Sequence, residues 1–267
     1  MQGTRLSGVI IIISFLASCL LAQDTKFEPV GEQIPGPGLA PINEDNCCYR
    51  TDEVKDPGQA FHAWIEDIRH WRAERLIRIG YDGSQYDRPE LAWTQASFVQ
   101  PQMIVEDRYF YDPAMGKYTV DRYLDDLEKR YGGIDSVLVW HTYPNIGVDN
   151  RNQYDLLRDM PGGIEGVRRM VRDFHRRGVR VLFPVMLWDQ GTRDPQATNA
   201  EATARLMAEI GADGVNGDDL EGVPRTFRAA SDGTGHPIAL EPEEVPTEES
   251  IQWNNFSWGY WNTPSSP

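Results

Sequence analysis

The sequence predicts an α/β fold, a run of strand–helix units of the (β/α) TIM-barrel type. It is incomplete, with five strong strands and a sixth if Leu76–Ile79 contributes, where a full barrel has eight. Three observations predict this. Short and almost wholly apolar runs alternate with stretches of helical period, the pattern of a parallel sheet covered on its faces. Glycines stand where the helices should end. No strand is followed by Gly-x-Gly-x-x-Gly, and no Gly-Lys-Ser/Thr occurs, which removes support for a nucleotide-binding open sheet.

The elements follow in order. Folded sequence begins at a helix near Pro57, where Phe61, Trp64, Ile65, Ile68 and Trp71 recur at helical spacing. The stretch from Tyr81 to Gln100 has no clear period. Gln102–Val105 reads as the first strand. Thr119–Tyr131 reads as a helix with Val120, Tyr123, Leu124 and Leu127 on one face and Gly132 at its end. Ser136–Trp140 is the second strand. Gly163–Arg177 is a helix that buries Ile164, Val167, Met170, Val171 and Phe174. Val179–Leu187 is the third and most apolar strand. Asn199 is expected to cap a helix through Ile210, with Gly211 after it. Gly214–Gly217 is the fourth strand, Pro224 opens a helix to about Ala230, and Pro237–Leu240 is the fifth strand.

What precedes the fold reads as export machinery. Arg5 and the apolar Gly8–Ala17 run are too short to span a bilayer, which needs about 20 apolar residues, and fit a signal over residues 1–22. Leu16-Ala17-Ser18-Cys19 has the form of a lipobox, so membrane attachment through a lipidated Cys19 competes with ordinary cleavage after Ala22. Residues 23–56 form a Pro/Gly-rich linker, and the barrel domain occupies 57–267. The expected location is therefore secreted, periplasmic or lipid-anchored. Cys47 and Cys48 are adjacent, which disfavours disulfide geometry between them, and no zinc spacing surrounds them.

Acidic residues outnumber basic ones 41 to 26, a net charge of −15. A surface so negative repels phosphates and argues against nucleic acid as a partner. It suits a neutral or cationic ligand.

In parallel α/β folds ligands bind beyond the carboxyl ends of the strands, and here those ends are polar. The first offers Glu106 and Asp107. The second offers Trp140, His141 and Tyr143, the third Trp188 and Asp189, the fourth Asn216, Asp218 and Asp219, and the fifth Glu241, Glu243 and Glu244. Residues two apart on a strand share a face. Asn216 therefore goes with Asp218, Glu241 with Glu243, and His141 with Tyr143. Two facing carboxyl groups are the machinery of glycoside hydrolysis, and eight tryptophans include candidates for sugar platforms, although tryptophan is first a core residue. Strand-end carboxylates also commonly cap helices or bond loop amides.

The run Ala212-Asp213-Gly214-Val215-Asn216-Gly217-Asp218 resembles the fourth strand of retaining barrel glycosidases of the α-galactosidase and α-glucosidase kind, as they occur in secreted bacterial proteins. Trp140-His141-Thr142-Tyr143-Pro144 and Leu187-Trp188-Asp189 resemble their preceding strand ends. The resemblance implies a carbohydrate substrate, with Asp218 as the nucleophile; no cofactor and no metal are expected. Those families carry the acid/base carboxylate on the sixth strand; here Glu241 on the fifth would have to serve. Trp140, His141, Tyr143, Trp188, Asp189 and Asn216 would bind substrate. Two other readings stand beside a glycosidase: a non-catalytic carbohydrate-binding barrel, and a metal-dependent hydrolase using His141, Asp189, Asp218 and Glu241. Gly-x-Ser-x-Gly and His-Glu-x-x-His motifs are missing.

Overall fold

The computed structural model describes residues 57–189 and 197–258. The expected signal with Cys19, the linker with Cys47 and Cys48, and the chain from residue 259 lie outside the described residues. The chain divides into two compact units, Met1–Arg78 and Ile79–Pro267.

In the first unit the expected helix is present as α1 (Pro57–Arg78), 22 residues long. Its last turn carries Arg78, which pairs with Glu74 at 2.6 Å. Leu76–Arg78 is thus helical, and the sixth strand read from Leu76–Ile79 does not form.

The second unit holds five parallel strands: β1 (Gln102–Ile104), β2 (Ser136–Trp140), β3 (Arg180–Val185), β4 (Gly214–Gly217) and β5 (Ala239–Pro242), hydrogen-bonded in that same order. Sequential order matters. Crossovers between neighbouring parallel strands are right-handed as a rule, so an order that never reverses sends every helix to one face, as in a barrel. A doubly wound sheet reverses at a switch point. The fold is therefore α/β of the barrel type, open after five strands among the described residues.

The crossovers are α2 (Val120–Tyr131), α3 (Gln153–Arg158) with α4 (Gly163–Arg176), α5 (Asn199–Ile210) and α6 (Arg225–Gly233). α2 ends where Gly132 adopts φ 86° and its N–H donates to Glu128 O, a left-handed conformation that costs glycine nothing. Thr198, not Asn199, caps α5: its Oγ1 accepts from the Glu201 amide, and Glu201 returns a bond to the Thr198 amide. α3 was not foreseen. Its first turn is a capping box of Asn152 and Asp155, a signal short enough to pass as a polar loop. A two-residue hairpin pairing Tyr111–Asp112 with Lys117–Tyr118 was also missed, being too brief to show alternation.

Alternation divides the strand residues between two apolar layers. Toward the helices point Met103, Val137, Val139, Val181, Phe183, Val185, Val215 and Leu240, packed with Val167, Met170, Val171 and Phe174 of α4 and Leu206, Met207 and Ile210 of α5. The other face carries Leu138, Trp140, Leu182 and Met186, covered by Trp93, Ile146, Phe256 and Trp258. Burying a large apolar side chain is worth about 1.5–3 kcal/mol, so these aromatics stabilise a face that would otherwise stand open.

The far edge of β5 is covered as well. Asn255 N donates to Leu240 O at 2.9 Å, and Asn255 Oδ1 accepts from Leu240 N at 3.2 Å and from Arg228 Nη2 at 2.8 Å. Arg228 is almost fully buried and also donates to Ile238 O. An uncovered edge strand is a template for unwanted pairing, and this segment occupies it. At the amino-terminal rim Asp213 accepts from His175 (2.6 Å), Arg180 (2.7 Å) and the Val181 amide (2.8 Å). Burial pushes its pKa up, but those three partners win and hold it below the ordinary aspartate range.

Replacing Asn255 with alanine leaves a buried guanidinium and the Leu240 amide short of an acceptor. The expected loss is about 2 kcal/mol, a fall of several degrees in Tm by thermal unfolding. An unchanged Tm would show that the edge segment contributes nothing.

Candidate active site

The rim site is set by register. β4 lies between β3 and β5, with Asn216 opposite both Pro184 and Glu241. Past the strand end, Asp218 N donates to Val185 O (3.0 Å) and Glu243 N donates to Gly217 O (3.1 Å), so the ladder continues until Asp218 and Glu243 are neighbours across it. The chain then folds back. Gly217 has no room for a side chain, since a Cβ there would come within 2.7 Å of Leu220 and 2.9 Å of Val223. Asp219 takes φ 58°, a region that aspartate tolerates better than most residues.

Asp218 is held by two aromatic side chains. Trp188 Nε1 donates to Asp218 Oδ2 at 2.7 Å, and Tyr143 Oη donates to the same oxygen at 3.2 Å. The two rings lie nearly parallel, 16° apart with centroids 6.4 Å apart. Trp188 is 47% exposed and Tyr143 38%, whereas Asp218 is only 8% exposed. The acid thus sits at the foot of an accessible aromatic surface. Desolvation raises its pKa; the Trp188 and Tyr143 bonds oppose this, and the charges of Glu243 and Asp219 add to the rise. Tyr143 stays protonated, pushed up to about 12 by partial burial and by the Asp218 charge.

Glu243 is half-buried, and its Oε2 accepts from the Asp219 amide at 2.7 Å. Its sequence position marks it only as one strand-end carboxylate among several, whereas the sequence points to Glu241 as the second site carboxyl, and the structure corrects that placement. Glu241 lies one strand repeat below, opposite Asn216, 1% exposed. Asn216 Nδ2 donates to it at 3.1 Å and is itself fully buried. Neither residue reaches the rim. Burial outweighs the bonds from Asn216 and Gln100 and pushes the Glu241 pKa up to about 8, so at neutral pH it is mostly a neutral acid.

Three other expected binding residues serve elsewhere. Trp140 is 2% exposed on the covered sheet face, its ring 5.4 Å from that of Tyr143, so it backs Tyr143 from behind. His141 points to the helix side, its ring 5.7 Å from that of Phe183, and not with Tyr143, because the strand ends at Trp140 and alternation lapses in the turn. Its Nε2–H donates to Gln153 O at 2.9 Å, and full burial lowers its pKa to about 4. Asp189 Oδ2 accepts from Gln153 N at 2.7 Å, the cap role always open to such a residue. Gln153 is the common partner, for its side-chain amide also bonds the Met186 amide (2.9 Å) and carbonyl (2.6 Å). It ties together the two turns that carry Tyr143 and Trp188. With His141 and Asp189 bonded to Gln153 and Glu241 buried, the four residues of the metal reading do not converge. Among the described residues no cluster of three histidine, cysteine or acidic side chains could hold a metal ion.

No protein-family profile matches the chain, and no curated protein matches it significantly. Among solved structures it is similar to the α-N-acetylgalactosaminidase NagBb from Bifidobacterium bifidum in complex with GalNAc, at 16% identity over 73% of this chain and 42% of that one, with a TM-score of 0.46. It is also similar to the noncanonic maltogenic α-amylase AmyB from Thermotoga neapolitana, at 16% identity over 61% and 49% of the two chains and a TM-score of 0.42. For α-galactosidase I from Mortierella vinacea the values are 14%, 54% and 40%, and 0.35. The chain spans less than half the length of each of these structures.

The buried Glu241 gives a pH test. Its pKa is raised on folding, so its contribution to stability is complete below the ordinary glutamate value near 4.5 and is lost as pH rises through about 8. Glu241→Gln removes the ionisable group. The stability of the native chain relative to this variant is expected to fall steadily between those two values in urea unfolding. A difference that does not vary with pH would rule out a buried, ionisable Glu241.

Proposed function

We propose that the chain is an exported glycoside-hydrolase-like protein that acts on a carbohydrate at the Asp218 rim. The observation that carries the reading is the clamp on Asp218: a strand-end carboxylate bonded on one oxygen by the exposed, parallel Trp188 and Tyr143. Sugar rings present C–H faces that pack on aromatic surfaces, while the polar edges of the same residues bond carboxylates. The sequence resemblance of the fourth strand to retaining barrel glycosidases agrees with it. Attachment through a lipidated Cys19 belongs to the same proposal.

Both side-chain bonds to Asp218 fall on Oδ2, and Oδ1 has no hydrogen bond among the described residues. Oδ1 is the natural attacking atom. In this reading Asp218 attacks the anomeric carbon as the glycosidic C–O bond breaks, and Glu243, having taken up a proton from solvent, gives it to the departing oxygen. Glu243, now a carboxylate, takes a proton from a water whose oxygen displaces Asp218 and regenerates it. Glu243 replaces Glu241 in this role because it flanks Asp218 on the next strand. Strands about 4.8 Å apart can bring two such carboxyl groups to the roughly 5–5.5 Å of a retaining pair.

Two measurements test it. Asp218→Asn keeps the shape and removes the nucleophile, so hydrolysis of an activated aryl glycoside is expected to fall by several orders of magnitude. Glu243→Gln should fall less with a good leaving group than with a poor one, whereas Glu241→Gln should leave turnover within a few-fold. Near-native turnover in Asp218→Asn would refute the assignment. Sugar binding with no turnover in the native chain would select the binding-only barrel instead.

Because desolvation raises the Asp218 pKa, and the nucleophile must be ionised, activity is lost on the acid side as Asp218 takes up a proton. The acid limb of kcat/KM is expected above the ordinary aspartate value. A limb at or below that value would exclude Asp218 as the ionising group.

A further inference from the structure

A cavity of about 510 Å³ opens beside α6 and shares no residue with the Asp218 rim. That volume lies within the roughly 300–1,000 Å³ of small-molecule sites. Its wall comes from three stretches: α6, the Ile79–Gln85 segment and the turn at Glu249–Trp253.

The charges in this wall are largely balanced from within. Arg228 forms part of the lining but is 4% exposed, and its Nη groups donate to Ile238 O, Trp253 O and Asn255 Oδ1, while its buried Nε has no partner among the described residues. Asp232 lies 4.0 Å from Arg228 and is bonded by Arg88 at 2.8 Å. Arg225 is exposed, lies 5.7 Å over the Trp253 ring, and helps to lower the pKa of Asp82. A strongly ionic ligand would meet repulsion from one sign as it met attraction from the other.

What remains accessible is a ring of strong donors and acceptors. Arg225 donates; Asp82, Asp232 and Glu249 accept. Trp253 and Ala229 supply apolar surface between them. A hydroxyl group both donates and accepts, so a molecule bearing several hydroxyls on a C–H framework satisfies all of these at once. We infer that this cavity is a second carbohydrate site, taking a small neutral saccharide and separate from the Asp218 rim. It does not depend on the chain being a hydrolase.

The two sites can be read independently, since each has its own indole. In the full chain carrying Asp218→Asn, titration with galactose or maltose is followed by the Trp253 and Trp188 indole N–H resonances. The Trp253 resonance, whose N–H donates to Val223 O, is expected to shift saturably whatever Trp188 does. Arg225→Ala should weaken that response at least tenfold. Ala229→Phe, which fills the cavity from an exposed helical position and removes no hydrogen bond, should abolish it while Tm is retained. A Trp253 signal unmoved by either sugar overturns the inference, and so does a shift that survives both variants. A shift produced by citrate but not by sugar would mark an anion site and overturn it as well. Movement of Trp188 alone would leave the Asp218 reading standing without this one.

Discussion

The rim depends on the register of one short strand. β4 is four residues long, and its pairing with β3 and β5 fixes which carboxylates meet. With Asn216 opposite Glu241, the next step of the pleat puts Asp218 beside Glu243. A slip of one residue would turn the set to the other face, sending Asn216 and Asp218 into the helix-side core and Val215 toward the covered face. The apolar residues on both sides of the sheet prevent it. Register here is enforced by burial, and the chemistry at the strand end follows from it.

The same logic separates two glutamates of one strand. Glu241 and Glu243 differ by a single pleat repeat, yet one is 1% exposed with its pKa pushed up to about 8 and the other reaches the rim. A buried carboxyl with two amide neighbours is most stable protonated, because the bonds offset only part of the cost of removing a charge from water. Asp218 lies between these extremes. Its two aromatic donors favour the carboxylate, and each such bond contributes about 1 kcal/mol, not enough to cancel desolvation beside Glu243 and Asp219.

The aromatic pair is itself positioned from below. Gln153, at the start of α3, bonds His141 and Asp189 through its backbone and both polar groups of Met186 through its side chain. Tyr143 and Trp188 project from the turns so anchored, and Trp140 supports Tyr143. His141, Asp189 and Trp140 therefore belong to the scaffold of the rim. The sheet edges follow the same economy of burial: aromatic side chains cover the face away from the helices, and Asn255 with Arg228 closes the edge of β5.

Some of this was legible in the sequence. Continuous apolar runs located β2 and β3, and helical period located α2, α4 and α5, because burial on one or both faces demands those patterns wherever the chain lies. Asp218, Trp188 and Tyr143 were legible as strand-end residues, since parallel topology sends every strand end to one rim. Other features were not. Leu76–Ile79 has strand-like composition, but its first three residues are the last of α1. α3 and the Tyr111–Tyr118 hairpin are too short for a period to emerge. The pairing of Asp218 with Glu243 depends on inter-strand register, which a single strand does not encode. The sides taken by His141 and Asp189 depend on Gln153, whose contacts exist only once two turns have met. Periodicity carried by each segment alone determined the strands, the helices and the polar rim. Relations between segments (register, the turn anchor and the covered edge) were decided by tertiary packing, because only packing sets the distance between groups far apart along the chain.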